Sequence, residues 1–118
     1  MKRLLIVVDY QNDFVCGSLG FDKAKELEKG ILEKIAKYQN DEIIYTLDTH
    51  FDDYLTTAEG KSLPVPHCIK GTVGHKLYGG LADALKGNLC FEKNTFPSLE
   101  MAKYLEGKDF DTIELCGL

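Results

Sequence analysis

Asp48 and His50 stand two residues apart, and His67 returns further along the same stretch, between Pro66 and Cys68. On an extended segment side chains two apart face the same side, so the first two can converge. Two imidazoles and a carboxylate form a donor set for Zn²⁺, Fe²⁺ or Mn²⁺ with positions left open for water or a ligand. Glu59 lies in the same stretch and is a weaker candidate for a fourth ligand. His75 is a poorer one, since it falls at a predicted helix start. A loop histidine also serves as an ordinary hydrogen-bonding residue, and spacing alone leaves that alternative open. Away from this cluster, Asp9 ends an apolar run and leads into Tyr10-Gln11-Asn12-Asp13-Phe14, and Lys93 follows Leu89-Cys90-Phe91. An ammonium beside a carboxylate can shuttle protons or stabilise a nearby thiolate. Taken singly, Asp9 would serve as a cap and Lys93 as a solvated surface residue.

The elements around these residues explain how they could meet. Leu4-Leu5-Ile6-Val7-Val8 is continuous and apolar rather than alternating, as in a strand covered on both faces. Asp22 to Gln39 places Ala24, Leu27, Ile31, Ile35 and Tyr38 on one stripe of a charged helix, with Asp22 available as a cap. Ile43 to Leu47 reads as a second strand. Asp48 to Gly74 holds two of the three prolines and little periodicity, and a loop of that length in a small domain is usually functional. His75 to Lys86 reads as a short helix through Leu77, Leu81, Ala84 and Leu85, followed by Leu89 to Phe91 as a third strand. Ser98 to Glu106 is a further helix, with Pro97 fixing its start and Gly107 its end. Thr112 to Cys116 is a fourth strand. This alternation predicts a single three-layer α/β/α domain over residues 1–118, with a parallel sheet and Rossmann-like, right-handed crossovers. Ligands of such sheets sit beyond the carboxyl ends of the strands, which is where Asp9, Asp48 and Lys93 fall.

Composition narrows the class. The chain has 118 residues, 44% hydrophobic and 28% charged, with a net charge of −5. That length can bury a core without disulfides, and the acidic balance gives no sign of a nucleic-acid partner. The first apolar run is too short to span a bilayer and no secretion signal precedes it, so no membrane partner and a cytoplasmic location are expected. The four cysteines, Cys16, Cys68, Cys90 and Cys116, form no CxxC pair and read mostly as reduced core thiols.

Five segments together carry a resemblance. Ile6-Val7-Val8-Asp9-Tyr10-Gln11-Asn12-Asp13-Phe14, Thr46-Leu47-Asp48-Thr49-His50, Pro64 to Gly74 with its PHCxxGTxG pattern, Phe91-Glu92-Lys93 and Ile113 to Leu118 resemble the isochorismatase-like cysteine hydrolases, nicotinamidase branch. The resemblance implies a Cys-Asp-Lys triad with Asp9 as general base and Lys93 polarising the thiolate region. It implies one divalent metal ion on Asp48, His50, His67 and Glu59, holding a pyridine nitrogen. Phe14 would line the pocket, the substrate would be a small-molecule amide, and the protein would form homo-oligomers. The implied reaction is nicotinamide to nicotinate plus ammonia, which belongs to NAD salvage. Another small amide, such as a carbamoyl or ureido compound, and a non-catalytic metal- or ligand-binding member of the fold are the alternatives.

Two departures qualify that pattern. The family's nucleophile falls a few residues beyond the Gly117 position, past Leu118, so the sequence resembles the front portion of such an enzyme, inactive by itself. Cys116 falls in the preceding strand and reads as a core thiol. Nicotinamidases also carry a tryptophan before the Pro-Pro-His of the metal loop, whereas Leu63-Pro64-Val65-Pro66 stands here and the chain has no tryptophan.

Overall fold

Four apolar runs become strands: β1 (Arg3–Val8), β2 (Glu42–Asp48), β3 (Leu89–Lys93) and β4 (Thr112–Gly117). In the computed structural model, which describes residues 2–94 and 98–118, all are parallel and ordered β3-β2-β1-β4. The continuous apolar run puts β1 inside the sheet, where Leu4, Leu5, Ile6 and Val7 are all at most 3% exposed. Among the described residues five α-helices accompany the sheet: α1 (Asn12–Val15), α2 (Leu27–Lys37), α3 (Ala58–Ser62), α4 (Leu81–Ala84) and α5 (Leu99–Leu105).

Alternation along the strands divides the core into two. Leu5, Val7 and Ile43 face Ile31 and Ile35 of α2 and Leu81 of α4, together with Leu85. Leu4, Ile6, Ile44 and Phe91 point the other way, toward Met101, Tyr104 and Leu105 of α5. Burying both faces of the sheet is what produces three layers.

Several boundaries differ from expectation. The helix expected from Asp22 starts as a 3₁₀ segment, Asp22–Glu26, and turns α-helical at Leu27. Its N-cap is Phe21, so Asp22 caps nothing through its side chain. The tighter winding rotates Leu27 off the stripe, leaving it 41% exposed. The helix expected over His75 to Lys86 is reduced to a 3₁₀ turn, Val73–His75, and the single turn of α4. Leu77 is drawn into an antiparallel bridge with Gln11, and Gly79 takes a φ of 59°, so no helix passes through. Ser98 caps α5 by accepting the Met101 N–H at 3.2 Å, and Gly107, with φ 77°, follows its end. The expected role of Pro97 lies outside the described residues.

β4 is an edge strand, and Ile113 and Leu115 on it are 52% and 66% exposed. Of the four free cysteines only Cys68 is buried; Cys90 and Cys116 are half-buried and Cys16 is exposed. The expectation of mostly core thiols is thus too broad. Among the described residues no helix is long and apolar enough to cross a membrane.

Candidate active site and metal centre

β1 and β2 separate just beyond Val8. Asp9 takes a left-handed φ of 45°, and its N–H is shared between the carbonyl and the hydroxyl of Thr46, each at 3.2 Å. The turn carries the Asp9 carboxylate across the strand ends. There Oδ1 accepts the Thr46 hydroxyl at 2.6 Å and Oδ2 accepts Lys93 Nζ at 2.8 Å. Lys93 closes β3 in register with Asp48, so the ammonium comes from a rigid strand. With side chains 12% and 10% exposed, Asp9 and Lys93 form a nearly buried ion pair.

The second group assembles from β2 and the loop after it. His50 bridges in parallel with Ile69, accepting the Lys70 N–H at 2.8 Å and donating its own to the Cys68 carbonyl at 2.9 Å. This short extra ladder brings His67 beside Asp48 and His50. Cys68 holds a left-handed φ of 50°, and its N–H donates to Asp13 Oδ2 at 2.7 Å. α3 delivers Glu59, with Thr57 capping it by accepting the Gly60 N–H at 3.0 Å. Asp48 Oδ2 lies 3.0 Å from His50 Nε2 and 3.2 Å from His67 Nε2, and Glu59 Oε2 lies 3.4 Å and 3.6 Å from the same atoms. The Tyr54 ring packs edge-on against both imidazoles, at 4.8 Å and 5.1 Å.

Electrostatics suit a cation at this point. Burial pushes the Asp48 carboxyl up, but the His67 hydrogen bond and the charges of His50 and Lys93 outweigh it and hold it below its ordinary value. Burial likewise works to lower His67, and the bond to Asp48 and the Val65 carbonyl reverse the sign. His67 Nδ1 donates to that carbonyl at 2.8 Å, which turns the Nε2 lone pair toward the carboxylates. One donor atom from each of Asp48, His50, Glu59 and His67 falls within 4.8 Å of the others. Two carboxylates and two imidazoles gathered so closely are the donor chemistry of a borderline divalent metal.

Both groups face one cavity of about 500 Å³. Asp9, Lys93, Asp48, Glu59 and His67 make its polar side, and Phe14, Leu19, Leu63 and Leu118 its apolar wall. His75 stays outside the cluster, buried, with Nε2 2.9 Å from the Thr49 hydroxyl. No cysteine lines the cavity among the described residues. Burial raises the Cys68 thiol, reinforced by Asp48, Asp13 and Asp9; it raises Cys90 to about 11 and Cys116 also. These three positions favour the thiol over the thiolate. Sequence reasoning did not single out Thr46, Asp13, Tyr54 or Gln11. Gln11 and Asp13 sit inside the Asp9-to-Phe14 part of the first segment that carries the resemblance, which was the available signal.

A parallel sheet with this constellation at its strand ends defines a family. The isochorismatase domain matches residues 3–118, and the chain belongs to that family. Sequence and structural matches place it with the nicotinamidase branch. An isochorismatase family protein of Bacillus subtilis strain 168, PncA, described as uncharacterized, is 34% identical over 90 residues, covering 69% of this chain and 46% of the relative. This chain thus aligns with about half the length of that relative. The crystal structure of nicotinamidase/pyrazinamidase PncA from Bacillus subtilis superposes on 100% of this chain and 72% of its own, with TM-score 0.85 and 30% identity. A pyrazinamidase of Pyrococcus horikoshii in complex with zinc has TM-score 0.79 and 26% identity, covering 100% of this chain and 71% of its own. N-carbamoylsarcosine amidase from Thermoplasma acidophilum shares the fold at TM-score 0.71 and 25% identity, over 99% and 68%.

Proposed function

We propose that this chain supplies the acid–base pair and metal centre of a cysteine amidohydrolase converting nicotinamide to nicotinate and ammonia. The observation that carries the reading is the Asp9–Lys93 pair facing the same cavity as Asp48, Glu59 and His67. A metal bound by Asp48, His50, His67 and Glu59 would supply a Lewis-acid anchor for the pyridine nitrogen. Phe14 and Leu63 then flank the ring, and the carboxamide points toward Asp9.

The nucleophile in this reading is a cysteine beyond Leu118, at the start of a helix after β4. Asp9 takes the thiol proton as sulfur bonds to the amide carbon and the C=O pair moves onto oxygen. Lys93, bonded to Asp9, stabilises the sulfur as it takes on thiolate character, and backbone N–H groups at that helix start receive the oxyanion. As the pair returns and the C–N bond breaks, Asp9 passes its proton to the departing nitrogen, releasing ammonia. Water, deprotonated by Asp9, cleaves the thioester to acid and thiol.

The lack of any tryptophan, with Leu63-Pro64-Val65-Pro66 before His67, favours a second reading in which the substrate is another small amide, a carbamoyl or ureido compound. Ammonia release separates the outcomes. The 118-residue chain should release none from nicotinamide. A chain extended through the cysteine should, and should lose the activity on Asp9→Asn or Lys93→Ala, with losses that do not add. Turnover by the 118-residue chain itself, abolished by Cys116→Ser, would overturn the placement of the nucleophile. Turnover of ureido compounds alone would move the assignment to the second reading.

A further inference from the structure

Asp48 ends β2 with unequal neighbours. On one side β3 offers Lys93 in register, and the Lys93 carbonyl accepts the Thr49 N–H at 2.7 Å. On the other side β1 has stopped at Val8 and Asp9 has turned away, so no main chain remains to pair with Asp48. The side chain of Gln11 occupies that place. Its Oε1 accepts the Asp48 N–H at 2.8 Å, and its Nε2 donates to the Asp48 carbonyl at 2.9 Å and the His75 carbonyl at 2.7 Å. A carboxamide presents an acceptor and donors as a peptide unit does, so it can replace one residue of a strand.

We infer that Gln11 is a positioning residue for the metal centre, a side-chain rung that extends the β1–β2 ladder to Asp48 and aims its carboxylate at His50, His67 and Glu59. The inference rests on the metal-binding reading above. Ligand geometry tolerates only about 0.5 Å of error, and a strand end is where local opening starts. Gln11 is 0% exposed and both of its N–H groups are used, so its bonds do not compete with water. The same amide holds the His75 carbonyl, tying the segment after His67 to Asp48.

Two substitutions separate positioning from space filling. Gln11→Met keeps the length and removes every side-chain hydrogen bond. Gln11→Glu keeps the acceptor for the Asp48 N–H but turns a group without N–H toward two carbonyls. Zinc affinity by competition with a chromophoric chelator, and the visible spectrum of the Co²⁺-loaded protein, are compared with wild type, His67→Ala and the remote core variant Leu85→Ala. Each protein is measured at a temperature where it is folded. Both Gln11 variants should bind zinc about 10- to 100-fold more weakly and shift the Co²⁺ bands, whereas Leu85→Ala should change neither. Wild-type affinity and spectrum in the Gln11 variants, or an equal loss in Leu85→Ala, would overturn the inference and leave the metal reading intact. A wild type that takes up no zinc, or a His67→Ala variant that keeps it, overturns both. Should neither Gln11 variant fold, amide exchange in the wild type decides. The Asp48 N–H should be as protected as the interior of β2 and slow further on adding zinc; loop-like exchange would refute the rung.

Discussion

Replacing Lys93 by Met removes the ammonium from a nearly buried pair while keeping the length of the side chain. The Asp9 carboxylate, 12% exposed, then keeps only the Thr46 hydroxyl and its own turn for stabilisation. Breaking one partner of such a pair costs about 3–5 kcal/mol, because the remaining charge stays desolvated. Asp9→Asn strands the ammonium in the same way. A domain of this size has roughly 5–15 kcal/mol in total, so both single variants should fold yet be visibly weakened. The double variant, Asp9→Asn with Lys93→Met, leaves no buried charge at the pair and should lie much nearer to wild type than the sum of the singles predicts. Urea denaturation measures this directly. With a slope of about 2 kcal/mol per molar, each single change should lower the midpoint by roughly 1.5–2.5 M at unchanged slope. The coupling from the double-mutant cycle should exceed about 2 kcal/mol. Single losses under about 0.5 kcal/mol, or strict additivity, would show that water screens the pair and would undo the argument for a desolvated acid–base centre.

Three further outcomes follow from the packing and the site. The folded chain should bind about one divalent transition metal, absent from His50→Ala and His67→Ala by metal analysis; metal retained in both would sink the ligand set, and retention in Glu59→Ala would put water in the fourth position. Leu81→Ala should cost about 2–5 kcal/mol in denaturation, since the side chain is 0% exposed between α2 and the sheet, and a loss below about 1 kcal/mol would deny its place in the core. Burial, aided by Glu28 and Tyr78, raises Tyr10 from 10.0 to about 12. The folded state therefore holds that proton more tightly, a contribution complete below pH 10 and lost as pH rises through 12. Tyr10→Phe should flatten the fall in stability across that interval, and an unchanged slope would remove Tyr10 as its source.

The strands were legible because each is a short apolar run at a regular interval, and a parallel sheet forces their polar ends to one side. That brings Asp9, Asp48 and Lys93 together without any knowledge of distances. What stayed hidden depends on the sheet as a whole. Hydrophobicity does not say which strand lies at an edge, so the exposure of Ile113 and Leu115 could not be read. The break at Gly79 and the pull of Gln11 on Leu77 shortened a helix whose periodicity looked sufficient. Gln11 and Thr46 escaped notice for a related reason: a polar side chain becomes structural only where a particular backbone group lacks a partner, and that shortage appears after the strands have paired.

The left-handed turn at Asp9 narrows what mutation can do there. The position asks for a negative charge and also for a φ of 45°, a conformation that glycine, asparagine and aspartate adopt far more readily than other residues. Glutamate would keep the charge but strain the chain, and asparagine would keep the turn but abolish the charge. Among the common amino acids only aspartate meets both demands well. A relative with another residue here would therefore have lost either the ion pair with Lys93 or the turn that aims it.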